Sequence, residues 1–196
     1  MTKKLIARTS RWLHIYLSMF SFVIVLFFSI TGLTLNHADY FQSKSIITDD
    51  KGELNIQWVN SSDTLQIKKL EIVEFFRNKY KVKGAIADFR IDEHEISFSY
   101  KAPGYEADVF ISKEDGHYTL TQTNQGIMGF INDLHKGRDS GKTWLIIIDI
   151  SAILLIIISF SGLLLLFFLK KKRTAGLILI VLGTVIIYFA YHFWGQ

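Results

Sequence analysis

The chain has 196 residues, 49% of them hydrophobic and 20% charged, with a formal net charge of +4 and no cysteine. That balance lies outside the range of a soluble domain and indicates an integral membrane protein. The missing thiols exclude disulfides, thiolate metal sites, iron–sulfur clusters and covalent haem attachment.

Three apolar runs carry the excess: Trp12 to Leu35, Trp144 to Leu169 and Ala175 to Trp194. Each is long enough, at ~1.5 Å per helical residue, to cross a hydrocarbon core of ~30 Å. Lys3, Lys4, Arg8 and Arg11 precede the first run, and Lys170, Lys171, Lys172 and Arg173 separate the second from the third. By the positive-inside rule both segments are cytoplasmic, so the N-terminus is expected inside, residues 36–143 outside and the C-terminus outside. Most of the net charge is then topological, and no Lys/Arg stripe with stacking aromatics marks a nucleic-acid partner. Trp12, Trp144, Trp194, Tyr188 and Tyr191 sit near run ends, as an interfacial aromatic belt does. No small-x-small cleavage pattern follows the first run at Thr34 to Phe41, so that run is expected to stay as a signal anchor.

At 100° per residue, His14, Ser18, Ser21, Ser29, Gly32 and Asn36 share one arc of the first helix. Small and polar residues in a membrane helix face other helices, which turns His14 toward the bundle either as a packing histidine or as a ligand. Residues 38–133 form an inserted domain, between a first segment 1–37 and a pair of membrane helices in 134–196 whose basic turn is 170–174. In the insert, Leu65 to Tyr80 reads as an amphipathic helix with Leu70, Val73 and Phe76 on one face and Asp63 or Thr64 as N-cap. Ala85 to Ile91, Glu95 to Lys101, Tyr105 to Ser112 and Tyr118 to Thr123 alternate as strands, with turns at Asp92-Glu93, Pro103-Gly104 and Asp115-Gly116. A helix on an antiparallel sheet follows. His94 and His117, beside those turns, are assigned no role.

Gly137 to Thr143, GRDSGKT, has three residues between its glycines where a phosphate-binding loop needs four, and it follows no strand. It reads instead as a loop whose Lys136, Arg138 and Lys142 form a basic cluster suited to something anionic. Asp149 lies about one and a half turns inside the second run, either as a functional acid turned toward a partner or as an interface residue pairing with Lys142 or Arg138. In the third run Gly176 and Gly183 share a face suited to close packing.

His37, His135 and His192 fall at the outer boundary, one from each membrane helix, and His14 is alone at the inner one. Imidazoles without cysteine or a carboxylate cluster suit a non-covalent b-type haem clamped by two histidines, or a zinc or copper ion. The aromatic-rich bundle favours haem b, with Lys136, Arg138 and Lys142 placed for its propionates and Asp149 for a hydrogen bond to a ligating ring.

Two stretches, RWLHIYLSMFSFVIVLFFSITGL and LHKGRDSGKTWLIIIDISAILLIIISFSGLLL, resemble the paired "Leu-His … Thr-Gly-Leu" and "Leu-His-x-Gly … Ser-Gly-Leu" helices of the PepSY-associated transmembrane proteins. The resemblance implies a three-helix membrane bundle, N-in and C-out, carrying an extracytoplasmic α+β PepSY-like domain, in a bacterial inner membrane with that domain in the periplasm. It also implies a link to iron acquisition, since larger relatives are ferric-siderophore reductases that hold haem between histidine-bearing helices. By motif, His14 and His135 match the family's recurrent histidines; His37 and His192 are placed by topology alone.

The expected function is therefore a haem-binding electron-transfer protein that takes electrons from a quinol or flavoprotein and reduces a ferric chelate outside. The rival is a non-enzymatic membrane-anchored PepSY module that binds, regulates or assembles a partner. Metal transport is disfavoured by membrane runs with one acid and no Met or Cys pathway. Because the two boundaries lie ~30 Å apart, His14 needs a second chain to pair with, which points to a homodimer or a partner membrane subunit.

Overall fold

The computed structural model describes residues 2–41, 44–61 and 66–195. By its contacts the chain divides into two units, Phe27–Ile148 and the combination of Met1–Leu26 with Asp149–Gln196.

Phe27–Ile148 contains the α+β domain. Its sheet has five antiparallel strands in the order β1-β5-β4-β3-β2, namely β1 (Ile46–Glu53), β2 (Ala85–Ile91), β3 (Glu95–Ala102), β4 (Tyr105–Ser112) and β5 (His117–Asn124). The four strands expected from alternation are present. Their inward residues Ile96, Phe98, Tyr100, Val109, Ile111, Tyr118 and Leu120 make the core with Ile72, Val73 and Phe76 of α4 (Lys69–Tyr80). Two phenols fix α4 on the sheet. The Tyr100 hydroxyl donates to Val73 O at 2.7 Å, and the Tyr118 hydroxyl lies 2.8 Å from Lys79 Nζ and 2.7 Å from the Tyr80 hydroxyl. The expected helical face needs one correction, because Leu70 is 71% exposed and Ile72 takes its place in the core. The caps foreseen at Asp63 or Thr64, and the foreseen start at Leu65, lie outside the described residues.

Besides the one-turn helix α3 (Ala38–Phe41) and a 3-10 turn at Ile56–Trp58, two longer elements were not foreseen. β1 pairs with β5 at the sheet edge, and α5 (Gly126–Lys136) connects β5 to the membrane helix α6 (Gly141–Phe168). α5 is tied to the β3–β4 turn: Gly104, with φ +66°, donates its N–H to Asp133 Oδ2 at 2.8 Å, and a Cβ there would lie 2.5 Å from Phe130 N. Only glycine fits a left-handed turn pressed that closely against a helix.

Among the described residues two helices, α6 and α7 (Arg173–Trp194), are long and apolar enough to cross a membrane. A third span results if α1 (Thr2–Phe20) and α2 (Phe22–Asn36) count as one, although they are bent by 56°. The first apolar run is therefore broken where a continuous helix was expected. At the break Ser21 is 1% exposed and its hydroxyl donates to Ser18 O, while the Ser18 hydroxyl donates to His14 O. Hydroxyls that bond back to the preceding turn bend helices, and the backbone bonds Ser21 N to Leu17 O and Val25 N to Ser21 O persist through the bend. The arc drawn along this run is corrected accordingly. Ser10, His14 and Ser21 lie inward, but beyond the bend Thr31 and Thr34 are buried and Ser29 and Asn36 are exposed. Thr31 stands about 100° around the axis from the extrapolated position of His14. On α7, a Cβ at Gly176 would meet Leu166 of α6, whereas Gly183 faces open space.

Candidate functional site

The two motif histidines, one in each unit, are held in the same way. On α1, half-buried His14 places Nδ1 3.2 Å from Ile158 O and 3.3 Å from Ser161 Oγ of α6. The Ser161 hydroxyl donates to Ile158 O at 2.7 Å, so its proton is committed. A carbonyl only accepts; the network therefore assigns the proton to Nδ1 of the neutral ring and the lone pair to Nε2. On α5, His135 places Nδ1 2.6 Å from Thr31 Oγ1 of α2, whose proton goes to Phe27 O at 2.6 Å. Again Nδ1 donates and Nε2 keeps the lone pair.

Each ring also fills a notch. A Cβ on Gly162 would lie 2.9 Å from Cε1 of His14, and one on Gly32 would lie 3.4 Å from Cε1 of His135. The His14 ring occupies space that only a glycine leaves open, whereas His135 rests in ordinary contact with Gly32 and meets Phe28 edge-on at 5.3 Å. Contacts are crossed relative to the motifs. The histidine of the first stretch meets the Ser-Gly of the second, and the histidine of the second meets the Thr-Gly of the first. Ser161 and Thr31 were not singled out from sequence, although the hydroxyl before the glycine in both motifs was visible.

The other expected residues are separate. His37 is exposed, its Nδ1 donating to Leu33 O at 3.1 Å and its ring 6.3 Å from that of Tyr40. His192 is exposed and stacks on Tyr188. Asp149 is exposed on α6 with no hydrogen bond or ion pair among the described residues. Lys142 is exposed in the first turn of α6, while Lys136 and Arg138 line a polar cavity of 310 Å³ with Asn132 and Asp133, two buried residues that sequence reasoning missed. In the α+β domain His117 lies between Glu53 (3.1 Å) and Asp115 (3.0 Å), and His94 pairs with Glu114 (3.3 Å); all are exposed surface pairs.

A bis-histidine haem needs two imidazoles opposed across the iron. The Nε2 lone pair set by an Nδ1 bond is the donor chemistry of such a ligand. Among the described residues, however, neither His14 nor His135 has a second imidazole among its contacts, so the residues around each ring do not form a clamp by themselves.

Fold and helices together define a polytopic membrane protein that carries an antiparallel α+β domain between its first and second apolar stretches. The family model described as "Putative PepSY_TM-like" matches residues 8–194, and the chain belongs to that family. No match was found among curated proteins or among solved structures.

Proposed function

We propose that this chain is a membrane-anchored PepSY-type module, non-enzymatic in itself, whose α+β domain is displayed on the extracytoplasmic side of a bacterial inner membrane to bind, regulate or assemble a partner. The observation that carries this is the seating of both motif histidines in glycine notches, where each ring locks one helix to another. The eight cations flanking the apolar runs support the orientation. Cysteine accessibility tests it: a single cysteine at exposed Lys51 should react with an impermeant maleimide in intact cells, and one at Lys171 should react only after permeabilisation. The opposite pattern overturns the topology.

A second reading rests on one observation, the shared tautomer that leaves Nε2 of His14 and His135 with its lone pair. We propose that these atoms bind haem b when a second copy of the chain, or a partner membrane subunit, supplies the opposing imidazole. Bound haem would supply one-electron transfer between a quinol or flavoprotein and a ferric chelate. Protein purified from cells supplied with haem should then show a reduced b-type spectrum in a dimeric particle, lost in His14→Ala and His135→Ala. A colourless particle refutes this reading and leaves the first standing.

A further inference from the structure

Between α5 and the end of α2 lies the 310 Å³ cavity, and its contents suit an anion. Two cations, Lys136 and Arg138, line it, and neither has an ion-pair partner within 4.0 Å among the described residues. Asn132 is 9% exposed, and its amide lies 3.5 Å from the Thr34 hydroxyl, whose proton goes to Thr31 O at 2.9 Å. The one acid in the lining, Asp133, is engaged through Oδ2 with the Gly104 N–H at 2.8 Å. Two cations with no ion pair among the described residues face one carboxylate, which is itself engaged with Gly104, so the lining carries an excess of positive charge that an anion would neutralise.

The depth of the cavity says which anion. Its lining includes Leu35, the last residue of the first apolar run, and Ala38 just beyond it, so it sits where hydrocarbon gives way to headgroups. α5 is built to lie at that level. Ile127, Phe130 and Leu134 form one stripe, with Ile127 73% and Phe130 46% exposed, and Asn132, Asp133 and Lys136 fall about 180° away. A short amphipathic helix with its apolar stripe bare and its basic face on a polar cavity is the pattern of an interfacial helix. We infer that the cavity binds the phosphate of an anionic phospholipid headgroup, and that α5 thereby clamps the α+β domain to the membrane surface.

The test uses the full chain in neutral detergent. Lipid binding is measured by native mass spectrometry with phosphatidylglycerol, with phosphatidylcholine, and with inorganic phosphate as a separate arm. Phosphatidylglycerol should bind and phosphatidylcholine should not. Lys136→Gln with Arg138→Gln should weaken phosphatidylglycerol about thirtyfold, from about fivefold per cation. Lys171→Gln with Lys172→Gln, which removes the same charge elsewhere, should leave it unchanged. Both cavity side chains are exposed, and the bond from Arg138 N to Asp133 O at 2.9 Å is backbone, so the variant keeps the end of α5 intact. Equal binding of the two lipids, or an unchanged affinity in the cavity variant, overturns the proposal. Saturation by inorganic phosphate with no added effect of lipid overturns the lipid as the source of the phosphate.

Discussion

Adding one methyl group at Gly162 should destabilise the membrane helices, although glycine-to-alanine inside a helix ordinarily stabilises by about 1 kcal/mol. The new Cβ would lie 2.9 Å from Cε1 and 3.1 Å from Nδ1 of His14, against an ordinary carbon–carbon contact of about 3.5–4.0 Å. The ring must therefore retreat by roughly 0.5–1 Å. Its bond to Ile158 O is already 3.2 Å long, and that movement breaks it. Overpacking costs about 1–3 kcal/mol and a buried donor left without its acceptor about 1–3 kcal/mol. After the propensity gain, Gly162→Ala should lose about 1–5 kcal/mol net. Gly32→Ala is the internal control, because its Cβ would sit 3.4 Å from His135 and needs little adjustment; its effect should stay within about 0.5 kcal/mol of zero or stabilise. In a His14→Ala background the obstruction is gone, so Gly162→Ala should become stabilising and the double-mutant cycle should show coupling. The assay is unfolding of the detergent-solubilised full chain by dodecyl sulfate, followed by circular dichroism. A Gly162→Ala protein as stable as the parent, or an equal cost in the presence and absence of His14, refutes the notch.

Asp133→Ala removes the acceptor of the buried Gly104 N–H and should cost about 1–3 kcal/mol, with faster amide exchange at Gly104; unchanged exchange there would show that α5 does not hold the β3–β4 turn. Tyr118→Phe deletes the contacts to Lys79 and Tyr80 and should lower the stability of the α+β domain by about 1–2 kcal/mol in denaturant titrations, and no loss would show that these bonds contribute nothing. Burial pushes the Asp108 carboxyl above its ordinary value of 3.8, with the Glu106 charge adding to the shift. A carboxyl raised in the folded state contributes stability while protonated and loses it as pH rises through the folded value, so ionised Asp108 opposes folding at neutral pH. Asp108→Asn should thus stabilise at pH 7 by less than about 1 kcal/mol, with a gain that shrinks as pH falls toward 3.8; a gain independent of pH contradicts this sign.

What could be read from sequence followed from periodicity. The three apolar runs were legible from length and hydropathy, and strands β2 to β5 from alternation that follows their inward and outward faces, so a local rule was enough. β1 escaped because its sequence, IITDDKGE, is charged and largely exposed at a sheet edge; its hydrogen bonds come from β5, which no local window sees. α5 escaped because GIMGFINDLHK carries two glycines in its first four residues, and its helix is held by Asp133 and by the His135 contact rather than by propensity. Along the first apolar run the buried hydroxyls change from Ser10 and Ser21 to Thr31 and Thr34. A single helical wheel located His14, Ser21 and Gly32 correctly, put Ser29 and Asn36 in place of Thr31 and Thr34, and missed the Thr31 hydroxyl that bonds His135.

The two histidine sites differ in sequence neighbours but repeat one arrangement, and the physical content of that repetition is specific. A notch opposite glycine could be filled by any flat ring, and a phenyl group would do so without placing a polar ring among apolar helices. Histidine becomes affordable there only if Nδ1 is satisfied. Ser161 and Thr31 help to satisfy it by spending their own protons on Ile158 O and Phe27 O, which leaves their oxygens free to accept. The hydroxyl before each glycine is thus part of the device, and it fixes the same tautomer twice. Cε1 of both rings faces its glycine and Nδ1 makes the hydrogen bonds, so Nε2 has no hydrogen-bond partner among the described residues, whereas a haem ligand binds through Nε2. The visible spectrum therefore reports on the one ring atom that separates a helix lock from a ligand.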